Sequence, residues 1–535
     1  IASILAQEGL RTTDRRFPKP EVLADIFSYR VNTGSSIAQL LTTKYQYFLP
    51  LTEQIARAQS VYEVRKKEAN AMDFDDLLSK TLELFRTADD LAALYQQKFE
   101  HILVDEYQDT NHLQAELVEL IASRHGNIMV VGDDAQSIYS WRGANFENIL
   151  KFPEKHPEAQ VFKIETNYRS VPEVLEVANA AIQANEAQFR KTLVAARRSH
   201  ALRPAVVSLS TNSQQAAFVA QRVLELHEEG VDLHEIAVLY RAHYHSMEVQ
   251  LEFTRRGIPF TITSGLRFFE QAHIKDVAAF LKFAVNPRDE TAFKRIVKLF
   301  PGIGPKAAES LWSRVNAQLE GQREFSQMDA TRPPAKAQQA WRQFVNTMME
   351  LAPASGLLPP AKMIESVGYA IYDDYMKTKF ANYEARQQDI DTLAAFAREF
   401  ESPEDFLSQL ALLGAVETAD TFYGEPELEK VTLSTLHQAK GLEWKVVFLI
   451  WLAEGMFPAS RTLANPESLE EERRLFYVGI TRCRDELYMT YPERRLNAGY
   501  YEALQRPSRF LMEVPENLLE AWEISTAKPA SGDPF

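Results

Sequence analysis

From His101 onward the chain alternates short apolar runs with stretches of helical period, and few folds can hold that alternation. Runs at Ile102–Val104, Ile128–Val131, Val161–Ile164, Ala205–Leu209, Ile236–Leu239 and Phe260–Ile262 each end in a polar cluster. Between them lie helical stretches such as Gln215 to Glu229, with Val219, Val223 and Leu226 on one face and Gly230 placed to stop it. Strands separated by helices predict an α/β fold of parallel sheets covered on both faces. The first hundred residues lack such runs: Leu77, Leu78, Leu82, Leu84, Leu91 and Leu94 recur at near-helical spacing behind Asp73, a candidate N-cap. Residues from about Ser264 to Lys430 also read as helical, with Pro-bearing loops at Thr331–Lys336 and Pro353–Lys362. Strand character returns at Val446–Ile450, followed by an amphipathic helix around Glu470–Gly479 and a strand at Glu486–Thr490. Pro529–Phe535 reads as a flexible tail.

Length and charge narrow the function. A chain of 535 residues is enough for three or four domains, and 45% apolar with 25% charged residues is a globular composition. One cysteine, Cys483, excludes an internal disulfide and any cysteine-rich metal centre, which fits a reducing cytoplasmic setting. The longest apolar run, Val446 to Ala453, falls well short of the roughly 20 residues that span a bilayer, so no membrane partner is expected. A net charge of −15 argues against a protein that coats nucleic acid indiscriminately, but leaves room for a local groove. The basic pairs Arg190–Lys191, Arg197–Arg198, Arg255–Arg256 and Arg494–Arg495 read first as solvated surface.

In open α/β sheets ligands sit beyond the carboxyl ends of strands. The first run ends in Asp105-Glu106, two carboxylates suited to holding Mg²⁺ and orienting an attacking water, though the same pair also fits a solvated loop. The second ends in a block from Gly132 to Gly143, where Gln136 can bond a phosphate while Tyr139 and Trp141 offer flat faces to bases, or else pack in a core. After the third come Asn167-Tyr168-Arg169-Ser170, where an aromatic beside a guanidinium can stack on a purine and reach a phosphate, although Arg169 taken singly reads first as a salt-bridge residue. Near the other end stand Leu436-His437-Gln438-Ala439-Lys440-Gly441-Leu442-Glu443-Trp444, in which His437 alone reads as structural. Glu470-Glu471-Glu472-Arg473-Arg474 read as a solvated helix start. Arg482 follows that helix and precedes a strand, where a phosphate-facing arginine of a second lobe belongs.

Together and in this order, from about Asp73 to Tyr491, these blocks resemble the UvrD/Rep family of superfamily-one DNA helicases. The resemblance implies two RecA-like parallel-sheet lobes, each with a helical insertion, hydrolysing ATP between them and stepping 3′ to 5′ on single-stranded DNA. It implies residues 1–98 as a first helical insertion, 99–165 as the remainder of an incomplete first lobe, and 166–263 and 431–513 as the second lobe. Residues 264–430 then form its insertion and 514–535 a tail. By the same likeness Asp105 helps hold Mg²⁺, Glu106 is the catalytic base and Gln136 senses the γ-phosphate. Arg169 and Arg482 act as arginine fingers, Tyr168 stacks on adenine and Glu443 contacts the sugar. Tyr139, Trp141 and His437 line the strand path, and Arg142 couples it to the nucleotide. Gly302, Gly304 and Lys306, in Pro301-Gly302-Ile303-Gly304-Pro305-Lys306, resemble the family's loop against duplex DNA, although a bare G-x-G is also an ordinary turn. Single strands, single–double strand junctions and repair or replication proteins are the implied partners.

The sequence departs from that pattern in one large way. A nucleotide motor needs a G-x-x-x-x-G-K-[ST] cradle, and none of the 20 glycines is followed by lysine. The expectation is an N-terminally shortened motor with weak ATPase. A non-hydrolysing DNA-binding scaffold is an alternative, and a subunit of a helicase–nuclease complex a further one. Two smaller departures are Trp444 in place of the usual Phe, and Asn497 near the expected aromatic tip of a duplex-splitting hairpin, which leaves strand separation either to Tyr500 or Tyr501 or weaker than translocation.

Overall fold

The computed structural model describes residues 1, 17–263, 268–380, 383–398, 400–420, 429–496 and 502–524. The chain divides into two compact units, each discontinuous in sequence. The first comprises Ile1–Ile102, Asn111–Ile128 and Leu266–Phe422, and the second Leu103–Thr110, Met129–Gly265 and Tyr423–Phe535.

The described interior of the first unit is helical. Its opening helices bury Val22, Leu23, Ile26, Phe27, Ile37, Leu41 and Ile55 in one core. Asp73 caps the Phe74–Thr87 helix as expected: its carboxylate accepts from Asp76 N–H at 2.9 Å, and Asp76 accepts in return from Asp73 N–H at 3.1 Å. Helical spacing did not identify the buried face, however. Leu82 is buried, whereas Leu77, Leu84 and Leu94 are exposed. In the Leu266–Phe422 part an aromatic cluster of Phe280, Phe283, Phe293, Trp341 and Phe344 fills the core.

Among the described residues the second unit is built on an α/β sheet. The strands, in chain order, are β1 (Ile102–Val104), β2 (Ile128–Val130), β3 (Thr166–Asn167), β4 (Val194–Ala195), β5 (Ala205–Thr211), β6 (Ile236–Tyr240), β7 (Phe260–Ile262), β8 (Val431–Thr435), β9 (Trp444–Leu449), β10 (Cys483–Leu496), β11 (Glu502–Leu504) and β12 (Glu520–Trp522). The main sheet runs β12-β5-β10-β9-β6-β8-β7, every neighbouring pair parallel, with β11 antiparallel on β10. The central strand β6 is buried at every residue, as the uninterrupted apolar run requires. The helix Asn212–Glu228 packs on β5 and β10, buries Val219, Val223 and Leu226, and stops before Gly230, whose φ is 91°.

β1 and β2 form a separate two-stranded sheet, and Leu103 and Met129 on it are exposed. Val161–Ile164, expected as a strand, forms none. Phe162 and Ile164 are each 81% exposed, and ladder bonding begins only at Thr166, where β3 meets β4. With no neighbouring strand to take its backbone bonds, an apolar run stays irregular. β8 and β12 lie outside the strands expected from sequence, and β12 places an edge strand in what reads as a tail. Pro529–Phe535 and the hairpin tip with Asn497, Tyr500 and Tyr501 lie outside the described residues.

Candidate functional site

β1 and β2 each deliver a polar turn at the carboxyl end. Asp105 accepts from Glu106 N–H at 2.8 Å, and Gln108 Nε2 donates to Glu106 Oε2 at 2.6 Å. Glu106 has φ 50° and ψ 39°, a left-handed conformation costly for a residue with a side chain and typical of functional turns. Buried Gln108 also accepts from Asp133 N–H at 3.1 Å, which ties the first turn to the second. A Cβ on Gly132 would lie 2.3 Å from Gln108 Oε1, so glycine is what allows the two turns to close. Gln136 Nε2 is held by Asp133 at 2.9 Å, and Lys191 also pairs with Asp133.

The loop from His437 to Glu443, between β8 and β9, meets these turns. Lys440, 8% exposed, places its ammonium 3.3 Å from Glu106 Oε2, on the Asp109 carboxylate, and 2.9 Å from the Gln136 carbonyl. Three residues earlier, His437 packs edge-on against Trp141 at 6.5 Å, and its carbonyl accepts from Tyr139 Oη at 3.1 Å. Arg142 lies over Trp141 at 4.5 Å. Burial, reinforced by Arg241, Arg461 and Arg142, pushes the His437 imidazole down to about 3, so it is neutral near pH 7. Trp141 keeps 47% of its surface exposed.

At the far end of the loop Glu443 pairs with Arg169. Arg169 also donates to the Thr481 carbonyl at 3.3 Å. Arg482 is 2% exposed, its guanidinium donating to the carbonyls of Val478 at 3.0 Å and Leu442 at 3.1 Å and to Thr481 Oγ1 at 3.0 Å. Burial first, and Arg169 second, bring it down to about 10. Both arginines are therefore seated on protein oxygens rather than extended. Tyr168 is 79% exposed at the lip of a cavity of about 530 Å³ whose lining includes Arg169, Glu235, Glu443, Lys445 and Arg484. Glu443 and Arg482 stand at the amino ends of β9 and β10, opposite to the carboxyl-end rule that located Asp105 and Gln136.

In the first unit, Gly302 has φ 81° and Gly304 caps the Pro305–Leu319 helix, with Ile303 buried between them and Lys306 exposed.

Sequence reasoning missed two features. Lys440 was visible in its block but carried no assigned role. Glu470–Glu472, read as solvated, are engaged: Glu472 is 4% exposed and bidentate with Arg241. Burial of the Pro466–Ile480 helix on nearly all sides from Glu472 onward is the physical reason, because buried charges require partners.

The donor set fits a magnesium nucleotide in part. Asp105 and Glu106 offer hard carboxylate oxygens of the kind Mg²⁺ prefers, and Lys440 supplies positive charge beside Glu106. The amide-and-lysine cradle is not among these residues.

Two family models match the chain: one described as the UvrD/REP helicase N-terminal domain over residues 2–157, the other as the UvrD-like helicase C-terminal domain over residues 162–494. Similar proteins include the ATP-dependent DNA helicase PcrA of Bacillus subtilis (strain 168), 35% identical over 472 residues, which covers 86% of this chain and 64% of the relative. PcrA of Leuconostoc citreum is 35% identical over 490 residues, 88% and 64% of the two chains. PcrA of Staphylococcus aureus (strain NCTC 8325 / PS 47) is 32% identical over 485 residues, 88% and 65%. The chain thus spans 64% to 65% of the length of these relatives.

Proposed function

The chain belongs to the UvrD-like family of DNA helicases, and from that premise we propose that it forms the translocating part of an ATP-driven 3′-to-5′ DNA helicase serving DNA repair or replication. One observation carries the reading. Within seven residues the loop His437–Glu443 touches the aromatic strand path, the Glu106 carboxylate and Arg169. A displacement of that loop by DNA is felt at the hydrolytic groups without further machinery.

Each carried-over role has a chemical basis. Asp105 holds Mg²⁺, which when bound neutralises phosphate charge, and Glu106 orients water and accepts its proton. Gln136 reads the γ-phosphate, Tyr168 stacks on the base, and Glu443 meets the sugar. Arg169 and Arg482 leave their present acceptors to face phosphate, and an arginine supplied this way is worth about 10³–10⁵ in rate. That release ties chemistry to lobe movement. Tyr139, Trp141 and His437 receive bases, Arg142 links them to the nucleotide side, and Gly302, Gly304 and Lys306 receive duplex phosphates. In this reading residues 99–165, 166–263 and 431–513 form the motor lobes, and 1–98 and 264–430 the two helical insertions. No helix among the described residues is long and apolar enough to cross a membrane, and we place the protein in the cytoplasm.

Because no glycine precedes a lysine in the 535 residues, this polypeptide by itself is expected to bind single strands but turn ATP over slowly. The same fact favours a second reading, a DNA-binding scaffold without hydrolysis. The two separate in one experiment: ATPase activity with and without oligothymidylate, for this chain joined to a cradle-bearing segment, comparing wild type with Glu106→Gln. DNA-stimulated turnover abolished by the substitution supports the motor, and absence of turnover in the joined wild type supports the scaffold.

A further inference from the structure

Consecutive positions on a helix point about 100° apart, so three acids in a row face three directions. On the Pro466–Ile480 helix each of the three meets a different segment. Glu470 accepts from Glu186 N–H at 2.8 Å and pairs with Arg474 at 3.3 Å. Glu472 takes the Arg241 guanidinium through Nε at 2.8 Å and Nη2 at 2.6 Å. Glu471 accepts from Ser140 twice, from its N–H at 3.1 Å and from its hydroxyl.

Ser140 lies between Tyr139 and Trp141, and a carboxylate that takes both its backbone and its side-chain proton fixes that residue in the chain. The helix that supplies Glu471 ends at Ile480, with Thr481 as its C-cap and Arg482 next in the chain. A carboxylate beside a path for a polyanion repels the ligand unless it has another task. The double bond to Ser140 is that task.

We infer that Glu471 is a positioning residue: through Ser140 it holds the Tyr139–Trp141 loop in its base-stacking arrangement and ties that loop to the Pro466–Ile480 helix that leads to Arg482. Glu470 and Glu472 seat the same helix against its neighbours. The inference rests on the single-strand reading of the aromatic loop proposed above.

The sign of the effect separates positioning from simple electrostatics. Removing a negative charge near DNA strengthens binding, whereas releasing the loop weakens it. The experiment measures anisotropy of a labelled oligothymidylate with the chain as it stands, at several salt concentrations. It also follows hydrogen exchange of peptides covering Ser137–Gly143. Glu471→Ala is expected to weaken binding about five- to tenfold with an unchanged salt slope, and to speed exchange in that peptide. Glu471→Gln, which keeps an acceptor oxygen, recovers most of the affinity. Ser140→Ala weakens binding about two- to threefold alone and adds nothing in the Glu471→Ala background. Equal or tighter binding by Glu471→Ala, or unchanged exchange over Ser137–Gly143, overturns the inference. If Glu471→Ala fails to fold, Ser140→Ala and Glu471→Gln decide by the same additivity. A wild-type chain that does not hold the oligonucleotide counts against the single-strand reading, and the exchange measurement then still decides whether Glu471 secures the loop.

Discussion

The Lys440 ammonium sits 3.3 Å from Oε2 of Glu106, on a loop more than three hundred residues further along the chain. It is nearly buried and also satisfies Asp109, whose carboxyl burial pushes above its ordinary range while Lys440 pulls it back. Lys440→Ala leaves burial unopposed, so the folded-state value of Asp109 rises further. A carboxyl raised in the folded state loses stability as pH climbs through that value. The variant is therefore expected to lose about 1–3 kcal/mol near neutral pH and much less near pH ~4. Urea unfolding of both proteins at the two pH values checks this, and an equal gap at both would remove Asp109 from the account.

His437 behaves with the opposite sign. Its imidazole is held down at about 3 by burial and by three arginines, against roughly 6.5 when unfolded. Between those values the unfolded chain binds the extra proton, so stability is intact above the upper value and drains as pH falls. The slope from this one group is about 1.4 kcal/mol per pH unit. His437→Phe is expected to flatten the acid limb of the stability curve, measured by denaturant unfolding from about pH 7 to pH 4. Oligonucleotide binding by wild type should show no titration of His437 near pH 6.5.

Trp141 and the surrounding cations make different kinds of contact with a strand. Trp141→Ala removes a stacking face and is expected to cost about 1–3 kcal/mol in oligothymidylate affinity with no change in the dependence on salt. Loss of affinity together with a shallower salt slope would mean that Trp141 acts by placing Arg142 on a phosphate instead.

The sheet was legible where a strand is buried on both faces: Ile236–Leu239 and Val446–Ile450 are uninterrupted apolar runs and form β6 and β9. Val161–Ile164, with Lys163 inside it, carries a weaker form of that signal and forms no strand, because a run reports its own hydrophobicity and not whether a neighbour waits to pair with it. β8 escaped notice since Thr432, Ser434 and Thr435 break its apolar character, although Ser434 is fully buried. The blocks around Asp105, Gln136, Arg169, His437 and Arg482 were each ambiguous alone, and the fold brings them together around one loop. Glu470–Glu472 could not be read correctly from local pattern. The groups that Glu471 and Glu472 bind, Ser140 and Arg241, lie more than two hundred residues away.

The two glycines of the Gly302-Ile303-Gly304 turn are expected to respond in opposite ways. Gly302 has φ 81°, and a Cβ there would come within 3.3 Å of the Lys336 Cβ, so Gly302→Ala strains the backbone and costs about 1 kcal/mol or more of stability. Gly304 is extended, at φ −95° and ψ −179°, and a Cβ on it meets nothing within 4 Å. No constraint inside the protein asks for glycine there, so Gly304→Ala should leave the thermal midpoint within a degree or two of wild type. If the open face exists to let a duplex phosphate approach the first amides of the following helix, the same substitution should weaken binding to a blunt duplex. Single-strand affinity should stay unchanged. Thermal unfolding with duplex and single-strand anisotropy on the two variants makes the comparison. Unaltered duplex affinity in Gly304→Ala would leave the turn as a plain connection between helices.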